Sequence, residues 1–212
     1  MNILLIVSVK YWMEMLSVKK IVNLIGEEMN AIKYKDIFET DFLAKFGDKK
    51  KEIENLTIEH DYVIDVDQII KCLGLTEKNT VMFGLSGQYD SHVHKILVNT
   101  LEPETRQRFT KAHELGHAVL GHKGNEKGIS NRNELSSIGI DKREKEANNF
   151  AATLLMPRKL VIKVMKLYKE SNDIKNWQDI NVNNLIEFMA RQMEVSEMSM
   201  KYRLINLGFI VY

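Results

Sequence analysis

The segment Arg108-Phe109-Thr110-Lys111-Ala112-His113-Glu114-Leu115-Gly116-His117-Ala118-Val119-Leu120 constrains the fold more than any other stretch of the chain. On a helix, residues four apart stack on one face as close neighbours, so His113 and His117 can reach one ion together if this segment is helical. Small Ala112, Gly116 and Ala118 beside them let neighbouring elements approach that helix closely. Pro103 introduces the helix, which the pattern carries over residues 104–121. The spacing His-Glu-x-x-His then presents two imidazoles to one zinc ion and sets Glu114 beside His113, where it can act as a base on a water at the metal.

Zinc with one position left open needs a third protein ligand. Glu134, Glu144 and Glu146 are the candidates. A second helix begins behind Asp141, stops at Pro157 and carries an apolar stripe of Ala147, Phe150, Ala151, Leu154 and Leu155. At about 100° per residue, Glu144 lies roughly 50° from the stripe centre and Glu146 more than about 100° away. Glu144 therefore faces inward, where an unpaired carboxylate is costly and a metal gives it a reason to be. Asn148, one turn on, either hydrogen-bonds the free ring nitrogen of a zinc-bound histidine or is simply a polar residue at the stripe's edge. For an oxyanion donor the sequence offers His122, Arg106 and Tyr89 without choosing among them, and His122 also reads as a cation at a helix C-terminus.

The remaining chain is patterned mainly for helices. Apolar residues recur at helical spacing over 17–32 and again over 37–46, where Gly47 ends the run. The charged stretch from Asp48 to Glu52 reads as a solvated turn. Asp65 and Gly74 frame a short helix bearing Cys72 as an inert core thiol. Two β-rich runs, 81–85 and 95–99, flank a turn at Tyr89-Asp90-Ser91 and predict a small antiparallel sheet. His92 and His94 beside that turn are expected in solvent. Glycines and serines over 124–139 read as a loop, and residues 183–208 as a helical hairpin.

A chain of 212 residues with 44% hydrophobic content can bury a core. Its formal net charge of +1 provides no global field for nucleic acid or an acidic membrane. The lone cysteine fits a reducing interior, and no stretch reaches the roughly 20 apolar residues of a spanning helix, so the expectation is a soluble, cytoplasmic protein. The apolar opening, Ile3 to Val7, is read as a buried strand or as an extension ahead of a start at Met13 or Met15.

The segment from Arg108 to His117, followed by Glu144-Lys145-Glu146-Ala147-Asn148-Asn149-Phe150-Ala151-Ala152-Thr153-Leu154-Leu155-Met156-Pro157, resembles the ImmA/IrrE family of metallopeptidases. Looser similarity covers residues 65–158 and the ending at 195–208, and the length is like the shorter ImmA type. The resemblance implies that His113, His117 and Glu144 bind Zn2+ and that Glu114 is the catalytic base. It further implies a protein substrate, a helix-turn-helix repressor of the Xre type, whose cleavage releases phage, mobile-element or stress genes.

The expected fold is α+β: a mostly helical, zincin-like metallopeptidase domain with a small antiparallel sheet and a C-terminal helical hairpin. Its expected division is an N-terminal helical region over 1–60, the peptidase core over 61–170, and a helix-turn-helix-like segment over 171–212 packed on that core. Two rival functions follow from the same residues. One is a zinc-binding interaction protein without catalysis, such as a toxin-antitoxin partner, and the other is a DNA-binding regulator acting through the hairpin. Against the second, Arg191, Lys201 and Arg203 are balanced by Glu187, Glu194 and Glu197, so phosphate attraction and direct nucleic-acid binding are not expected.

Overall fold

A computed structural model describes residues 31–58, 61–122 and 142–211, together with the backbone of 129–132. The expected helix over 17–32, the candidate ligand Glu134 and the cap Asp141 lie outside the described residues. From residue 31 the chain forms a strand, β1 (Ile32–Lys33), then α1 (Tyr34–Ile37), α2 (Thr40–Ala44) and α3 (Lys50–Asn55), and a strand β2 (Thr57–Ile58) antiparallel to β1. The single helix expected over 37–46 is broken at Phe38, whose backbone is extended. The break lets Tyr34, Phe38, Phe42 and Phe46 build a ladder of ring contacts that reaches Phe150. Aromatic packing thus outweighs local helix continuity. The lysine run is a 3-10 turn, Gly47–Lys49, leading into α3 rather than a plain turn. Its side chains are solvated and paired at helical spacing, Lys49 with Glu52 and Lys50 with Glu54.

Helix α4 (Val66–Cys72) carries the expected cap, with Asp65 accepting from the Gln68 amide, and the expected stop at Gly74, whose φ is 68°. Cys72 is half-buried at the edge of the core. Strands β3 (Thr76–Thr80), β4 (Gly87–Asp90) and β5 (Lys95–Asn99) join β6 (Ile129–Arg132) in a sheet of order β3-β5-β4-β6. Three expectations change here. Residues 81–85 are not a strand, Tyr89-Asp90 belong to β4 rather than to a turn, and β6 lies within the stretch read as loop. The sheet is also mixed, since β3 runs parallel to β5 while β4 is antiparallel to both β5 and β6. The reversal between β4 and β5 falls at 91–94, with His92 and His94 exposed as expected.

The central helix, α5 (Glu104–Val119), starts behind Pro103 and ends before Gly121, whose φ is 65°. Its N-terminal half is tied to the rest of the fold by polar side chains. Arg108 donates to the Ile64 carbonyl at 2.7 Å, and Lys111 bridges Asp67 and Glu77 at 2.6 and 2.8 Å. Helix α6 (Lys142–Leu155) buries the predicted stripe of Ala147, Phe150, Ala151, Leu154 and Leu155 against α5. The close approach depends on Gly116, where a Cβ would stand 3.0 Å from Phe150 and 3.3 Å from the Ala147 backbone. Helices α7 (Arg158–Ser171), α8 (Val182–Gln192) and α9 (Glu197–Asn206) complete the chain. The last two form the expected hairpin, capped by Asn181 and Ser196. Leu185, Met189, Met200 and Leu204 join the same hydrophobic cluster as α5 and α6. The fold is α+β and mostly helical, and among the described residues no helix is long and apolar enough to cross a membrane.

Candidate metal centre

Two helices build the centre, and each holds its side chains for a local reason. On α5 the one-turn spacing brings the His113 and His117 rings to a centroid distance of 4.8 Å, with the two Nε2 atoms 3.0 Å apart. Both imidazoles are buried, at 1% and 2% exposure. From α6, Glu144 turns inward as its helical phase predicts, its Oε2 3.1 Å from His113 Nε2 and its Oε1 3.3 Å from His117 Nε2. Glu146 is 44% exposed and does not join them.

His113, His117 and Glu144 thus place one ligand atom each within 4.8 Å of one another, a set able to hold a metal ion. Two ligands of a tetrahedral ion with bonds of about 2 Å stand roughly 3.3 Å apart, close to the separations found here. Glu144 Oε2 is buried and makes no hydrogen bond even though His113 Nε2 is so near. Three potential ligand atoms this close together suit a cation between them. Burial alone would raise the Glu144 carboxyl, yet the two imidazoles outweigh it and hold the group well below the usual carboxylate range. Glu144 is therefore an anion in this setting, as a metal ligand must be.

Glu114 is fully buried between the flanking histidines and the sheet. Strand β4 comes close at Gly87, where a Cβ would stand 3.3 Å from Glu114 Cγ, 3.0 Å from the Leu97 carbonyl and against Thr110 Cγ2. A glycine is thus required for the strand to pass over this part of α5.

The unligated ring nitrogens are also occupied. Asn148 Oδ1 lies 3.0 Å from His113 Nδ1, the contact its position one turn after Glu144 predicts. On the other side, His117 Nδ1 lies 3.0 Å from His122 Nδ1, and His122 Nε2 lies 3.1 Å from Glu146 Oε2. Sequence reading treated His122 as a helix-end cation or an oxyanion donor and missed this contact. Burial lowers its pKa, and the neighbouring His117 lowers it further, so it is not held as a cation. The missed signal is Gly121: its left-handed turn reverses the chain just past α5 and folds His122 back, its amide donating to the His117 carbonyl at 3.0 Å. Of the other two proposed oxyanion donors, Arg106 is paired with Glu102 and partly exposed. Tyr89 packs in the core, where burial raises its phenol.

Comparison with known proteins agrees with this geometry. The family model described as the IrrE N-terminal-like domain, a peptidase family, matches residues 75–205. An uncharacterized immunity region protein 2 of Bacillus phage phi105 is 37% identical over 70 residues. That alignment spans 33% of this chain and 42% of the phage protein.

Proposed function

The chain belongs to the IrrE N-terminal-like peptidase family, and we propose that it is a zinc-dependent endopeptidase that cuts a helix-turn-helix repressor of the Xre type. The observation that carries the reading is the convergence of His113 Nε2, His117 Nε2 and Glu144 beside the buried Glu114.

In this reading His113, His117 and Glu144 hold Zn2+, which when bound polarises a carbonyl and lowers the pKa of water. Glu114 takes the proton from the attacking water and delivers it to the leaving amine. Asn148 orients His113 through its Nδ1. The mixed sheet beside α5 offers a strand edge for aligning a peptide backbone by strand addition. Support for a repressor as substrate comes from the family resemblance in the sequence and from the Bacillus phage phi105 relative, an immunity region protein.

The test incubates the protein with an Xre-type helix-turn-helix repressor, with and without zinc, and compares wild type with Glu114→Gln. Cleavage is expected from wild type with zinc, and a loss of at least about 10²-fold from the variant, within the range of general acid-base catalysis. Cleavage undiminished in Glu114→Gln would remove Glu114 from the mechanism. Tight repressor binding without cleavage by either form would favour an interaction protein instead.

A further inference from the structure

We infer that His122 and Glu146 form a directional relay that fixes the tautomer and orientation of His117 and so sets the affinity of the metal centre. The inference rests on reading His113, His117 and Glu144 as that centre.

With Glu146 ionised and His122 neutral, the contacts set the direction of each hydrogen bond in the chain. Glu146 is a carboxylate and can only accept, so the atom facing its Oε2 at 3.1 Å, His122 Nε2, carries a proton. A neutral imidazole has one N–H, which leaves His122 Nδ1 as an acceptor. The atom facing that acceptor at 3.0 Å is His117 Nδ1, which must then be the donor. Its proton on Nδ1 leaves a free lone pair on Nε2, the atom turned toward His113 Nε2 and Glu144. The relay therefore selects the one His117 tautomer that can ligate through Nε2.

On the other ligand ring, His113 Nδ1 faces Asn148 Oδ1. An amide can present either its oxygen or its nitrogen, so Asn148 orients a ring without forcing a tautomer as a carboxylate does. The relay side chains differ in setting: His122 is 8% exposed and Glu146 is 44% exposed. His122 also borders a cavity of about 300 Å³ shared with Phe42, Leu120, Glu146, Phe150 and Thr153. Truncation at His122 enlarges an existing space rather than opening a hole in a close-packed core, so folded variants are expected.

Zinc affinity measured by chelator competition tests the relay independently of proteolysis. Wild type is expected to bind one zinc ion, and His122→Ala to bind it about 10–100-fold more weakly, the usual cost of losing an outer partner. His122→Asn keeps an acceptor for His117 and a donor for Glu146, and should recover most of that loss. Glu146→Gln removes the forced direction and should weaken binding several-fold. A second readout is the tautomer of His117 in the zinc-free protein by long-range 1H–15N correlation. The Nδ1–H form is expected in wild type and His122→Asn, and a mixed population in His122→Ala. Uptake of zinc by His122→Ala within twofold of wild type, or an Nε2–H tautomer in wild type, overturns the relay while leaving the metal centre standing. Absence of zinc uptake by wild type overturns the metal centre itself and the relay with it.

Discussion

At the scale of single residues, the centre depends on a division of labour that helix phase made visible in advance. Glu144 and Glu146 are two residues apart on α6, yet one faces the imidazoles and the other faces solvent and His122. In the proposed centre Glu144 is a direct ligand, so Glu144→Ala is expected to lower zinc affinity by several orders of magnitude, far beyond the 10–100-fold assigned to outer partners. Glu146→Ala should stay within that smaller range, and equal losses in a chelator titration would show that the two roles are not distinct. Asn148 permits a finer comparison. Asn148→Asp replaces a neutral acceptor facing His113 Nδ1 with an anionic one and should bind zinc at least as tightly as wild type. Asn148→Leu should bind about 10-fold more weakly, and indistinguishable affinities would reduce the 3.0 Å contact to packing. His122 lay beyond sequence reasoning because its role depends on a backbone reversal at Gly121 and on a partner 24 residues away.

Elements were legible to the extent that they carry their own periodicity and caps. Helix α5 starts behind Pro103 and α6 stops before Pro157, where those signals place them, and α8 and α9 form the hairpin expected over 183–208. The sheet was misread because its hydrophobicity and its hydrogen bonding are in different places. Val81 and Phe83 are 52% and 89% exposed in a loop pinned by Asn99, whose side-chain amide donates to the Met82 and Leu85 carbonyls. Strand β3, by contrast, is the polar Thr76-Glu77-Lys78-Asn79-Thr80, which among the described residues pairs only with β5 and needs no buried alternation. The α1-α4 contact was equally invisible: the buried Tyr34 hydroxyl accepts from the Asp65 amide at 3.0 Å, 31 residues away. Burial raises that phenol to about 12, outweighing the Asp65 hydrogen bond that lowers it. Unfolded tyrosine titrates near 10, so the folded state holds this proton more tightly. The resulting stability is complete below about pH 10 and disappears as pH climbs to the folded value. Tyr34→Phe, which leaves the Asp65 amide without that acceptor, should cost about 1 kcal/mol at pH 8. Between pH 10 and 12 the wild type should lose about 2–3 kcal/mol relative to the variant, so that the order reverses in urea unfolding. A constant difference across that range would contradict the burial of a neutral phenol.

At the scale of the whole molecule, the question is whether the C-terminal hairpin is a separable module or part of the body that holds the centre. Its charges are not arranged to meet a phosphate backbone. Arg191 is paired with Glu187 on the same helix, and Arg203 points inward with its Nε donating to the Met156 carbonyl at 2.8 Å. Burial and, secondarily, the nearby Arg158 lower the Arg203 pKa to about 10, which marks a cation held for structure and not for display. Arg158 in turn lies 4.8 Å over the Phe209 ring and donates to the Leu207 carbonyl. The link between α6 and α7 is therefore gripped by α9 and the residues after it, and Met156 follows directly on the helix that carries Glu144. Arg203→Met keeps most of the apolar stem but leaves the buried Met156 carbonyl without this donor. It should lower stability by about 1–3 kcal/mol and weaken zinc binding, since the position of Glu144 depends on the packing of α6. A hairpin acting as an independent DNA-binding module predicts the opposite pattern: unchanged melting, unchanged zinc affinity, and loss of a salt-dependent duplex complex. Thermal melting, chelator titration and duplex binding on this single variant separate the two architectures.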